Sequence, residues 1–170
     1  MKKLLLFLAL GGFFGHSTTA LAQAPPTETQ ALTKQLNQLM RNPKKPKQDV
    51  TLTLSGCHAE QLIRDRDADV QTSKPLAVSF NTGNSGWAMK MDNGVFEMKM
   101  RFEWADVTAL TYEPVKDDDG SKHFQIKVAK GRKSNHMSFE MPLYTTSEAT
   151  VKDVVARLEK VRQSCGGTNN

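Results

Sequence analysis

Trp87-Ala88-Met89-Lys90-Met91-Asp92-Asn93-Gly94-Val95-Phe96-Glu97-Met98-Lys99-Met100-Arg101-Phe102 is the stretch whose reading decides how this chain folds. Asn-Gly at its centre is the dipeptide best suited to a two-residue type I′ hairpin loop, because both central residues need positive φ. A loop at Asn93-Gly94 places Met91 opposite Phe96, Met89 opposite Met98, and Trp87 opposite Met100. On the other surface Lys90 then faces Glu97, an opposite-charge cross-strand pair. The second strand continues with Phe102 and Trp104 on the apolar side and with Glu97, Lys99, Arg101 and Glu103 on the charged side. Alternation of this kind predicts an antiparallel sheet with one wet face.

The same period of two extends in both directions. Val50, Leu52 and Leu54 alternate with polar residues, as do Leu76, Val78 and Phe80. Cys57 to Lys74 between them is polar, with Leu62-Ile63 as its sole apolar anchor, and its pattern gives no assignment. After the hairpin come a strand from Val107 to Tyr112 stopped by Pro114, then Phe124, Ile126 and Val128 after the turn Asp117-Asp118-Asp119-Gly120. Met137, Phe139 and Met141 follow the basic loop, and Pro142 restricts that strand to an edge or an end. Two helices flank these strands. Thr27 with Gln30 fits a capping box ahead of Leu32, Leu36, Leu39 and Met40, and Asn42-Pro43 closes that helix. Its narrow apolar stripe leaves open whether it packs on the sheet or forms an arm. Thr145 with Glu148 fits a second capping box. Val151, Val154, Val155, Leu158 and Val161 then recur at helical spacing, Cys165 lies on the same face, and Gly166 fits the C-terminal cap.

The N-terminus reads as an export signal: Lys2 and Lys3, a short apolar run from Leu4 to Phe14, then Ala20-Leu21-Ala22 for a signal peptidase. Removing 1–22 takes the 170-residue chain to 148 and its net charge from +5 to +3. The expected organisation is a signal peptide at 1–22, a helix and basic linker at 23–48, an α+β domain at 49–165 and a tail at 166–170. An exported protein with two cysteines pairs them as a rule, so a Cys57–Cys165 disulfide is expected. Leu54-Ser55-Gly56-Cys57 spells a lipobox, but no apolar run precedes it. A catalytic Cys57-His58 pair is set aside, because neighbours point to opposite sides of a strand and oxidation silences the thiol. An apolar content of 38% supports a real core. No second apolar stretch is long enough to cross a membrane, and the basic excess is too small for a nucleic-acid binder.

The order helix, about seven strands, helix resembles pleckstrin-homology-like barrels from Val50 to Ser164, with Phe102-x-Trp104-x-Asp106-Val107 similar to the strand end of that group. The resemblance implies an α+β fold in which a bent antiparallel sheet forms a PH-like barrel or half-barrel capped by the C-terminal amphipathic helix, with the N-terminal helix added. In that group basic residues of the first hairpin hold phosphoinositide heads. Here the basic cluster Lys127, Lys130, Arg132, Lys133 and His136 sits near the sixth turn, so that role does not carry over. The chain also resembles short exported two-cysteine single-domain proteins of Bacteroidota, a likeness that implies no particular activity.

Three sets of residues carry candidate chemistry. Met89, Met91, Met98 and Met100 bring thioethers to one side of the hairpin, and soft sulfur suits copper or silver. Glu97 to Phe102 is similar to the metal strand of small periplasmic OB-fold copper chaperones. Those place a metal-capping Trp where this chain has Val95. The competing expectation is that these methionines are ordinary core, filling gaps beside Trp87, Phe96, Phe102 and Trp104 beneath the final helix. The 127–136 cluster is the candidate for anionic surfaces or headgroups. Asp65-x-Asp67-x-Asp69 has the spacing of a calcium loop, but Val70 and Leu76 stand where that loop needs Gly and Glu. His58, His123 and His136 match no hydrolase signature, and Gly-x-Ser-x-Gly, His-Glu-x-x-His and paired zinc cysteines are all missing. These observations together predict an exported, periplasmic or extracellular, non-catalytic domain that requires no cofactor. Its expected partner is a protein or small ligand of the cell envelope, with copper binding as the competing role.

Overall fold

In the computed structural model, residues 26–131 and 137–167 are described. The signal peptide expected over 1–22 lies outside them, as do Arg132, Lys133 and His136 of the basic loop. The elements are α1 (Pro26–Leu39), β1 (Gln48–Ser55), β2 (His58–Asp65), β3 (Leu76–Thr82), β4 (Ser85–Asp92), β5 (Val95–Glu103), a 3-10 turn (Trp104–Asp106), β6 (Val107–Lys116), β7 (Lys122–Lys130), β8 (Met137–Leu143) and α2 (Glu148–Ser164). The strands form two antiparallel sheets, β1-β2-β5-β4-β3 and β6-β7-β8. The α+β class is as expected. The one bent sheet of about seven strands is instead eight strands in two open sheets.

The hairpin register reads as its sequence predicts: Met91 pairs with Phe96, Met89 with Met98, Trp87 with Met100 and Lys90 with Glu97. Cys57 to Lys74, which had no assignment, supplies β2. Gly56 takes φ 58° in the tight turn, and Ser55 pairs with His58. The pattern of β2 was hidden because its inward positions are Ala59, Gln61 and Ile63, opposite Phe102, Met100 and Met98. Gln61 breaks the apolar alternation, and Leu62 points to the other face. Pro114 does not stop β6, which runs on to Lys116. Both β6 and β8 are edge strands, where Pro114 and Pro142 need no partner for a missing N–H.

Pairing across the larger sheet puts Val50, Leu52, Ala59, Ile63, Phe102, Met100, Trp87 and Phe80 on one continuous face. The helices cover only part of it. α1 packs on β1 and touches β8 and α2, burying Leu32, Leu36 and Met40. This settles the open question of whether the first helix is an arm. Asn37 seals the outer edge of β1, its Oδ1 accepting from the Leu52 N–H at 2.6 Å and its Nδ2 donating to the Leu52 carbonyl at 3.0 Å. α2 packs on β6, the 3-10 turn and β7. The two sheets meet where the rings of Phe102 and Phe139 lie 4.4 Å apart, beside buried Trp104.

Both helix caps differ from the predicted boxes. α1 begins at Pro26, so Thr27 lies within it, a start suited to proline because the first helical N–H has no partner to lose. Ser147, not Thr145, caps α2 and accepts from the Thr150 N–H at 3.3 Å. Thr145 instead accepts from the Ser147 N–H, and Glu148 pairs with Lys152. At the far end Cys165 forms the expected disulfide with Cys57, their Cα atoms 5.5 Å apart and 108 residues apart in sequence.

Two stability predictions come from these contacts. Replacing both cysteines by serine frees a long loop in the unfolded chain and should cost about 2–5 kcal/mol. Urea unfolding would show it, and a loss well below 1 kcal/mol would rule out the disulfide as a main stabiliser. Gln61 is fully buried, and neither its Oε1 nor its Nε2 has a hydrogen-bond partner among the described residues. Gln61→Met removes that desolvation penalty and should stabilise by about 1–3 kcal/mol, visible as a higher Tm. A lower Tm would mean that the amide is satisfied.

Candidate binding cavity

Once the inward register is set, the hairpin side chains fall on a surface that neither helix reaches. Trp87 and Met89 from β4, with Met98, Met100 and Phe102 from β5, form one wall of a cavity of about 400 Å³, and Phe139 of β8 stands across from them. Only Phe102 and Phe139 of these are buried; Trp87, Met89, Met98 and Met100 are half-exposed. The expectation that the methionine face lies hidden beneath the final helix is therefore corrected. α2 is held to the β1–β2 turn by Cys165 and rests on β6 and β7, which leaves β3 and β4 without a helical cover. Beyond the cavity the same face continues to Leu76, Val78 and Phe80 of β3, which are 47%, 40% and 50% exposed. Exposure of that extent on three alternate residues of one strand makes a patch, where a single apolar side chain would need no explanation.

The four candidate metal ligands share this face without converging on one point. Met89 and Met98 sit directly opposite one another, Met100 faces Trp87, and Met91 faces Phe96. Met89, Met98 and Met100 line the cavity.

The basic cluster divides. Lys130 has the parity of buried Ile126 and Val128 and lines the cavity, whereas Ser138 and Arg101, which also border it, stand in the outward-facing rows of their strands. Lys127 lies on the opposite surface. There Glu113 Oε1 is 2.7 Å from its ammonium, whose pKa this contact raises. The sequence reading missed Lys130, Ser138 and Phe139 as parts of one wall with the hairpin. The parity of Lys130 with Ile126 was the available signal, but the pairing of the two sheets was not legible.

On the wet face, Gly86 stands in row with Asn81 and Arg101. A Cβ there would stand 2.4 Å from the Phe80 carbonyl oxygen and 2.8 Å from Asn81 Oδ1. Its bare backbone lets Asn81 approach Arg101, whose Nη2 donates to Asn81 Oδ1 at 2.6 Å. The outer face of the sheet is neutralised by pairs. Arg64 donates twice to Glu97 Oε2, at 2.9 and 2.6 Å, and these bonds lower the pKa of that carboxyl. Glu60 meets Lys99 at 3.1 Å, and His58 Nδ1 meets Glu103 Oε1 at 3.1 Å. Lys90 faces Glu97 in register as predicted, yet the close ion pair of that carboxylate is with Arg64.

The remaining candidates are structural. Asp65 accepts from Gln48 and from the Asp67 backbone, and Asp67 pairs with Lys47. Among the described residues no group of three or more His, Cys, Asp or Glu is placed to hold a metal. His123 is buried with its ring 5.1 Å from that of Tyr144, and Asp117 Oδ1 is 3.4 Å from its Nδ1. Its suggested neighbour His136 lies outside the described residues. A larger groove of about 620 Å³ between α1 and β1 is lined mainly by polar side chains, among them Lys34, Gln38, Arg41 and Asp49. Asn37 also lines it and is already occupied by β1. No helix among the described residues is long and apolar enough to cross a membrane. Against this geometry, no protein-family model, curated protein or solved structure matches the chain.

Proposed function

We propose that this chain is an exported, non-catalytic binding domain whose ligand seats an apolar moiety in the cavity between β4–β5 and β8. The observation that carries the reading is the half-exposed wall of Trp87, Met89, Met98 and Met100 facing Phe139. Flexible, polarisable thioethers adapt to differently shaped apolar groups, which favours binding over a fixed catalytic geometry. The size agrees, since ligand pockets run from about 300 to 1,000 Å³ and are lined mostly by apolar and aromatic side chains. The disulfide is compatible with an oxidising compartment and supports the export half of the proposal.

A second reading is favoured by one specific observation, the direct opposition of Met89 and Met98. Two facing thioethers can hold Cu(I) or Ag(I). One pair of variants separates the two readings. Met98→Leu keeps the apolar wall and removes a sulfur, whereas Met98→Glu keeps the length and adds a charge.

Titration with the neutral dye N-phenyl-1-naphthylamine should give saturable binding at one dye per chain, with quenching of Trp87. Met98→Leu should bind the dye nearly as well, and Met98→Glu about tenfold more weakly or worse, because a carboxylate there loses solvation. Absence of saturable dye binding, or equal binding by Met98→Glu, would sink the proposal. One tightly held Cu(I) per chain, lost in Met98→Leu while the fold persists, would install the metal reading in its place.

A further inference from the structure

We propose that β3 is a docking edge for a second copy of this chain, two β3 strands pairing antiparallel about Ser79 so that the larger sheets of both copies run on as one. The first support is the direction of the backbone groups. Residues flanking a two-residue hairpin loop form a hydrogen-bonded pair, and such pairs alternate along an antiparallel ladder. Asp92 and Val95 flank the Asn93-Gly94 loop, so Lys90, Ala88 and Gly86 bond toward β5. Thr82 and Ser85 flank the loop at Gly83-Asn84, so Trp87 and Met89 bond toward Phe80 and Val78 of β3. The two hairpins thus give β4 the same parity. The N–H and C=O groups of Ala77, Ser79 and Asn81 point away from β4, off the end of the sheet. Among the described residues no backbone hydrogen bond joins them to another segment, and every residue from Leu76 to Asn81 is exposed.

The second support is what the strand lacks. Sheet edges are ordinarily guarded by charge, proline or a covering element. Asn37 guards β1, while β6 carries Pro114 with Glu113 and Lys116, and β8 carries Pro142 with Glu140. β3 has no proline, and it is the one strand among those described with no charged residue. Its inward row of Leu76, Val78 and Phe80 stays exposed to water, the condition that marks a contact surface.

The third support is that the strand fits itself, as a two-fold contact requires. With Ser79 on the axis, Ser79 meets Ser79 and Ala77 meets Asn81, which joins the outward backbone groups of both strands. Val78 then faces Phe80 of the second copy in a closely spaced position, where a β-branched and an aromatic side chain pack well. No charge on β3 opposes its own copy. Moving the axis to Val78 would set Pro75 against Asn81 and lose a bond there, because proline has no N–H.

The test is sedimentation equilibrium of the chain from residue 23 onward, between about 10 µM and about 1 mM, with hydrogen exchange followed at single residues. A reversible monomer–dimer exchange is expected. The amides of Ala77, Ser79 and Asn81 should slow as concentration rises, while those of Val78 and Phe80, already bonded to β4, should not change. Ser79→Pro removes an N–H that β4 does not use, and Val78→Lys sets a charge in the contact. Each should weaken dimerisation about tenfold or more with the circular dichroism spectrum of the fold kept. A chain still monomeric at the highest concentration would overturn the proposal, as would a dimer that survives both variants. Slowing of the same amides in a monomer only when a synthetic peptide of alternating valine and threonine is added would overturn it in favour of a foreign strand.

Discussion

The tether between Cys57 and Cys165 fixes one end of the helix that covers part of the core. It holds the last turn of α2 at the β1–β2 turn, close to where the Trp104 N–H donates to the Cys57 carbonyl at 2.8 Å. From that anchor the helix lies along β6 and β7, and its apolar stripe of Val151, Val154, Leu158 and Val161 is buried. α1 takes the β1 side. The inward register of β5, β4 and β3 is as apolar as that of β1, yet no helix remains to cover it. The cavity therefore follows from the number and placement of covering elements and needs no unusual sequence of its own.

What was legible in the sequence follows the range of the forces involved. The Asn93-Gly94 hairpin was readable to the residue because turn geometry and strand alternation are local. The faces of both helices were readable for the same reason. The surface each helix buries against was not, because an amphipathic stripe says what a helix hides and not what it hides it on. β2 escaped because Gln61 occupies an inward position where the pattern demands an apolar residue. Pro114 misled because a proline stops only a strand that needs its N–H, and whether β6 is an edge depends on pairings far away in sequence. The candidate site shows the same division. The methionines were found from spacing of two, while Lys130, Ser138 and Phe139 join them only through packing of one sheet against the other.

The charged surface repeats this at smaller scale. A cross-strand rule placed Lys90 opposite Glu97, which is correct in register. The guanidinium of Arg64, arriving on the unforeseen β2, makes the closer contact and lowers the pKa of the Glu97 carboxyl. Strand order decides which of two possible partners a surface charge takes. Glu60, Lys99, His58 and Glu103 are also engaged there, so most carboxylates of the wet face have a close partner.

The amide of Asn37 has a consequence for how this molecule can meet its own copies. By occupying both backbone groups of Leu52 it blocks the middle of one border of the larger sheet, while prolines interrupt both borders of the smaller one. The remaining border, β3 (Leu76–Thr82), contains no proline. A lattice of hydrogen-bonded strands needs two open ends per molecule to propagate into a fibre. Pairing of strands between two copies is therefore obstructed at three borders and least obstructed along β3.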